Sequence, residues 1–168
     1  MLDPRHLGRR YGPTRYTVGA EKLKEFAYAI AGGVPSLGFT GTGPPPGLNP
    51  LLYDEEAAKQ GPYGELIGLP TFAVVFAIAP FGEALCDPEL KIDLKLLVHA
   101  EQEFELFEPI KAGDRMTSTG VITKLYTRAG KEFLGLTTES TNQHGRLAVR
   151  GLWLAVIRAC PERGRGAP

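Results

Sequence analysis

The sequence predicts an α+β domain in which an antiparallel sheet curves around one buried helix. Three observations carry that prediction. Residues 72–78 are apolar on every side (Phe72, Ala73, Val74, Val75, Phe76, Ala77, Ile78), and a helix without a polar face has to be buried. Beyond Pro88 the hydrophobic period shifts from about 3.6 to about 2, the signature of half-buried strands. Helices precede strands instead of alternating with them, which separates α+β from α/β architectures. At 168 residues the chain is of single-domain size, and it can enclose a core without disulfides or metal.

In chain order, residues 1–14 read as an irregular lead-in carrying Arg5, Arg9 and Arg10. Residues 15–18 form a short strand that Gly19 ends. Residues 21–31 form a helix with Leu23, Phe26, Ala27 and Ile30 in one apolar stripe, stopped by Gly32 and Gly33. Residues 32–47 are so dense in Gly and Pro that neither helix nor strand survives, and they read as an insertion loop. Residues 54–60 form a short helix closed by Gly61-Pro62. Pro70 then opens the apolar helix at the first-turn position proline favours, and Pro80 and Gly82 are expected to close it.

Four strands follow. In the first, Leu96, Val98, Ala100, Gln102, Phe104 and Leu106 alternate with His99, Glu101, Glu103 and Glu105, so each set takes one face. Residues 109–114 turn, 116–127 form the second strand, Ala129-Gly130 turns again, and 132–141 form the third. Residues 142–145 turn into the fourth and most apolar strand, 147–157. The domain therefore spans 15–158, its strands read as a four-stranded meander, and 159–168 is a flexible tail. Long strands leave edges to cover, and pairing between subunits would cover them, which predicts a dimer.

Composition excludes several classes. Lys+Arg and Asp+Glu balance at 19 each, so the basic footprint of a nucleic-acid binder is missing. No run of roughly 18 apolar residues is present, and the start is charged rather than signal-like, so neither a membrane span nor a leader is expected. Cys86 and Cys160 lack metal-ligand spacing, no metal is expected, and the reading is a cytoplasmic protein. Scarce Asn, Gln, Cys and Met beside 14 Pro lean toward a thermophilic source.

The candidates for chemistry are few. His99 and Glu101, two apart on one strand, would sit about 7 Å apart on the same face. They offer an acid/base pair, or simply the start of a solvated glutamate row. The amides opening the helix at Pro70 offer an oxyanion-type site, or only a capped turn. Cys86 reads as a small structural residue, and His6 and His144 as isolated surface residues. Gly41-Thr42-Gly43 runs into prolines instead of a helix, so a phosphate cradle fails its context, and no nucleophile elbow occurs.

A set of segments in shared order resembles the MaoC-like and FAS1-like dehydratase domains. They are Tyr16-Thr17-Val18-Gly19, residues 26–30, Asn49-Pro50, residues 54–58, Tyr63-Gly64, Pro70-Thr71-Phe72, residues 98–104, residues 109–114, and Thr141-Asn142-Gln143 with Gly145. The resemblance covers roughly residues 14–158 and is strongest to the N-terminal, non-catalytic type of domain. It implies a hot-dog fold, a central helix wrapped by an antiparallel sheet and dimerised edge to edge. It also implies reversible removal of water across C2 and C3 of an (R)-3-hydroxyacyl thioester carried on CoA or acyl carrier protein, with no cofactor.

Catalytic members carry Asp and His in the pattern D-x-N-P-x-H. Here Asn49-Pro50 stands, but Gly47 occupies the Asp position and Leu52 the His position. Neither moves a proton, so no catalytic residue is assigned, and His99 and Glu101 remain as fallback. The resemblance implies an accessory subunit, pairing as a homodimer or with a dyad-bearing partner. Its substrate-binding residues would be Asn49, Pro50, Tyr63, Gly64, Pro70, Thr71, Phe72, Val75 and Phe76, although plain core packing would equally explain the apolar ones. Two alternatives stand beside it: a self-sufficient acyl-CoA thioesterase, and a non-enzymatic binder of acyl thioesters.

Overall fold

The computed structural model describes residues 2–32 and 44–158. Most of the Gly/Pro insertion, the tail and Cys160 lie outside the described residues. Five strands form one antiparallel sheet: β1 (Arg10–Thr17), β2 (Leu97–Leu106), β3 (Arg115–Arg128), β4 (Lys131–Thr141) and β5 (Leu147–Ile157), in the order β1-β3-β4-β5-β2. Helices α1 (Ala20–Ile30) and α2 (Glu55–Gln60) precede the central helix. That helix comprises a 3-10 turn (Pro70–Ala73), α3 (Val74–Ala77) and α4 (Ala79–Leu85).

Three features differ from the sequence prediction. The lead-in is not wholly irregular, because a 3-10 turn forms over Pro4–His6 and β1 already begins at Arg10. The strands are not a simple meander: only β3, β4 and β5 are consecutive neighbours, and β2 pairs with β5 across the sheet. The connection over residues 107–114 carries the chain from one edge to the other side, a step that local pattern does not encode. Pro80 does not close the helix either. It falls in the first turn of α4, where its missing N–H has no helical partner to lose. The Gly82 N–H donates to the Ile78 carbonyl at 2.9 Å and the Cys86 N–H to the Gly82 carbonyl at 3.1 Å, so the helix continues past both breakers.

The central helix is the core. Phe72, Ala73, Phe76, Ala77, Phe81 and Ala84 are buried on it, against Ile122 and Met116 of β3, Leu134 and Leu136 of β4, and Trp153 and Ala155 of β5. Each fully buried large apolar side chain contributes about 1.5–3 kcal/mol. Two glycines set how closely the layers meet. A Cβ at Gly120 would lie 2.8 Å from Pro80 Cβ and 2.8 Å from Leu136 Cδ2, and one at Gly151 would lie 2.7 Å from Thr138 Oγ1. Buried polar side chains on neighbouring strands pair across the sheet. The Trp153 Nε1–H donates to Thr138 Oγ1 at 2.9 Å, and the Ser118 and Ser140 hydroxyls share a 2.8 Å hydrogen bond.

The far end of the helix is fastened to β1. The Tyr11 hydroxyl donates to Asp87 at 2.8 Å, Arg9 pairs with Asp87 at 2.9 Å and with Glu89 at 2.6 Å, and the Gly12 N–H donates to Glu83 at 2.8 Å. Burial would raise the Asp87 carboxyl. The Glu89 backbone N–H, the Tyr11 hydroxyl and the Arg9 charge together outweigh it and hold the carboxyl below its ordinary range. On α1, Leu23 and Ala27 are buried as the stripe requires, but Ile30, at its end, is 61% exposed.

Gly120→Ala should lower the unfolding free energy by about 1–3 kcal/mol through overpacking against Pro80, read as a shifted midpoint in urea with an unchanged slope. Asp87 is depressed in the folded state, so its stabilisation is complete above about pH 4 and is lost as pH falls through the lower folded value. Asp87→Asn should therefore be less stable than the parent at neutral pH. The gap should close as urea unfolding is followed down toward about pH 2.5.

Candidate functional site

The Asn-Pro element folds as a small overhang packed on α1 and α2. Asn49 Oδ1 accepts the Leu51 N–H at 3.0 Å and starts a 3-10 turn over Pro50–Leu52. Asp54 caps α2 by accepting the Glu56 and Ala57 amides at 2.9 and 3.1 Å. Leu51 reaches into the space that Gly61 leaves open, where a Cβ would stand 2.6 Å from Leu51 Cδ2. Lys24 bonds Glu55 at 2.9 Å and the Tyr28 and Tyr53 rings meet at 6.0 Å, so the overhang is held to α1. Gly47 sits at φ +81° with open space where a side chain would point. Leu52 is half-buried, and Ala58 is buried under the overhang.

The segment leading into the central helix lies against the β2–β3 connection. Lys111 Nζ donates to the Tyr63 carbonyl at 2.9 Å, Gly68 N–H donates to the Ile110 carbonyl at 2.8 Å, and Ile67 bridges to Lys111. The Tyr63 ring is exposed, and Gly64 takes φ +71°, which suits glycine. Beside this strap is a polar cavity of about 350 Å³ lined by Glu65, Lys111, Asp114, Gln143, His144 and Arg146. Asp114 is buried there, accepting from the Lys111 amide at 2.8 Å and the Gln143 side chain at 3.0 Å. Sequence reading placed 109–114 and 142–145 as turns, separate from one another. What joins them into one cavity is the crossing of the β2–β3 connection.

The nine sequence-assigned binding residues do not form one surface. Pro70 and Thr71 are exposed and Val75 is half-buried, but Phe72 is 0% and Phe76 2% exposed. Phe72 meets Phe26 of α1 edge-on at 5.3 Å and Tyr16 of β1 at 6.5 Å, and Tyr16 stacks on Phe76 at 6.1 Å. These aromatics tie α1 and β1 to the helix. The Phe72 amide already donates to the Leu69 carbonyl at 2.8 Å, so it is not free for an oxyanion.

His99 and Glu101 do not share a face. A bulge at Ala100 places His99 opposite Ala155 and Glu101 opposite Leu154, which face opposite sides of β5. His99 consequently joins the helix-side cluster, 5.8 Å from both the Trp153 and Phe81 rings, while Glu101, Glu103 and Glu105 line the outer face. A bulge re-aims one side chain and leaves little mark on an alternating sequence. Two further expectations are corrected. Cys86 is exposed, since it stands just past the end of α4. His6 is 5% exposed, enclosed by the turn that folds the lead-in onto the domain. Among the described residues no helix is long and apolar enough to cross a membrane, and no cluster of three or more His, Cys, Asp or Glu could hold a metal.

Residues 5–150 match the family model described as the FAS1-like dehydratase domain region. A UPF0336 protein of Streptomyces avermitilis is 35% identical over 162 residues, covering 96% of this chain and 98% of its own length. One of Saccharopolyspora erythraea is 35% identical over 166 residues, covering 98% and 97%. Among solved structures, the HadBC (3R-hydroxyacyl-ACP dehydratase) complex of Mycobacterium tuberculosis aligns with a TM-score of 0.70 at 22% identity, over 90% of this chain and 96% of the other. An (R)-hydratase from A. caviae aligns with a TM-score of 0.60 at 22% identity, over 89% and 94%. The fold is the hot dog.

Phe72→Ala should cost about 3–5 kcal/mol of unfolding free energy, the value for a core aromatic. A side chain merely lining an open tunnel would lose far less in the same denaturation experiment.

Proposed function

The chain belongs to the family of FAS1-like dehydratase domain regions, and from that membership we propose that it is the non-catalytic subunit of an (R)-3-hydroxyacyl-thioester dehydratase or enoyl hydratase. One observation carries the reading. Asn49-Pro50 is retained between Gly47 and Leu52, the positions where the resemblance expects Asp and His. Proton transfer at C2 and C3 needs an ionisable group at hydrogen-bond distance, and a hydrogen atom and an isobutyl group supply none. The retained Asn49 has a structural task in any case, since it starts the turn that shapes the overhang.

The partner is then a hot-dog subunit that bears the dyad, and the ligand is an acyl thioester of CoA or acyl carrier protein. Edge pairing is supported by the unpaired side of β2, on which Val98 and Leu106 are about two-fifths exposed at 39 and 41%. Exposed apolar groups along an unpaired edge are what a second subunit would cover. The accessory subunit would hold the partner's fold and close one side of the acyl site. A thioesterase built on His99 and Glu101 loses its support, because the bulge sends the two side chains to opposite faces.

The purified chain should show no hydration of an enoyl thioester by itself. Mixed with a D-x-N-P-x-H-bearing hot-dog subunit from the same genome, it should raise that subunit's hydration rate or its stability. Robust hydration by this chain alone would overturn the accessory reading. Stabilisation by CoA thioesters without turnover, alone or mixed, would instead indicate a binding protein.

A further inference from the structure

The outer face of β2 carries Glu101, Glu103 and Glu105 in one row, opposite Leu154, Leu152 and Arg150 of β5. Only Glu105 has a cation: Arg150 bonds it at 3.1 Å and bonds Glu139 at 3.0 Å. Lys124, on the same face three strands away, has its stem over Gly135 and pairs with none of the three. Among the described residues, Glu101 and Glu103 have no ion pair. The row therefore leaves at least two uncompensated carboxylates beside an edge whose backbone groups are unpaired.

The opposite edge does not present such a surface. β1 is interrupted by a bulge between Tyr11 and Thr14 that contains Pro13, and a proline without an N–H cannot continue a ladder. β2 is thus the edge open to a partner. A second copy would pair with it antiparallel about a two-fold axis, the isologous solution for identical subunits. A register centred within residues 101–105 that keeps the two outer faces aligned sets odd-numbered residues of that stretch across from odd-numbered residues. Glutamates then face glutamates with Cβ atoms about 4.5–5.5 Å apart, and like charges directly opposite destabilise a sheet.

We infer that this edge selects a different subunit, one presenting Lys or Arg at alternating outer-face positions of its own edge strand, and that the glutamate row rejects a second copy of this chain. The inference rests on the accessory-subunit reading and names the chemistry of the partner. It turns an unpaired edge into a specific one: the backbone ladder, Val98 and Leu106 supply attraction to any hot-dog edge, and the carboxylates decide which edge is accepted. Specificity of this kind needs a repulsive element against the wrong partner as well as an attractive one toward the right partner.

The test uses two variants that change only exposed outer-face positions, with folding checked by circular dichroism. Glu101→Gln with Glu103→Gln leaves the Glu105–Arg150 pair intact. Glu101→Lys, Glu103→Lys and Glu105→Lys together make a basic edge. Analytical ultracentrifugation at about 20 mM salt should show the Gln variant self-associating about tenfold or more tighter than the parent. The difference should shrink at about 0.5 M salt, where exposed charges are screened. The parent mixed one-to-one with the Lys variant should form a mixed dimer tighter than either alone, and salt should weaken it. Equal self-association of parent and Gln variant at low salt, no preference in the mixture, or no dimer of any kind would each overturn the inference. The hydration assay with a dyad-bearing subunit is scored separately, so a failure of the edge chemistry leaves the accessory reading standing and a failure of activation does not touch the edge result.

Discussion

An apolar helix cannot face water on any side, and most of this chain is arranged to enclose one. Phe72 and Phe76 pack on the aromatics of α1 and β1, and Phe81 packs on Trp153 and His99 at the other side of the sheet. No single element could cover all three. The sheet curls around the helix, β1 closes one flank, and α1 packs on the start of the helix through Phe26 and Phe72. Where the enclosure is tightest, at Gly120 and Gly151, side chains are dispensed with altogether, because a Cβ would collide with Pro80 or Trp153.

That enclosure also explains why so much of the region expected to bind substrate is structural. Phe72 and Phe76 hold the helix to its wrapping, and Asn49 and Asp54 are occupied with starting short helical turns. What is left accessible is the overhang around Gly47 to Leu52, the exposed start of the helix at Pro70 and Thr71, and the strap from Tyr63 to Lys111 with its polar cavity.

The edge strand β2 is the open side of the sheet. The Ala100 bulge divides it into two halves with opposite facing. One half turns His99 onto the Trp153 cluster, and the other lines three carboxylates along the outside. The same strand therefore carries an aromatic-backed imidazole toward the helix and a charge pattern toward solvent. Both features belong to one ten-residue segment.

The sequence by itself determined the α+β class, the buried helix and the spans of the last four strands, because hydrophobic period is a local property. Leu147–Ile157 is the clearest case, its span matching the predicted 147–157. The order of segments from Tyr16 to Gly145 also carried the family. Tertiary structure alone decided the rest. Pro80 continues the helix because its position in a first turn removes the usual penalty. β2 lies beside β5 because the connection over residues 107–114 crosses the sheet. His99 parts from Glu101 because one extra residue in a ladder reverses every side chain before it relative to those after. Each of these depends on what a residue is placed against, and a residue's own identity does not record its neighbours across the fold.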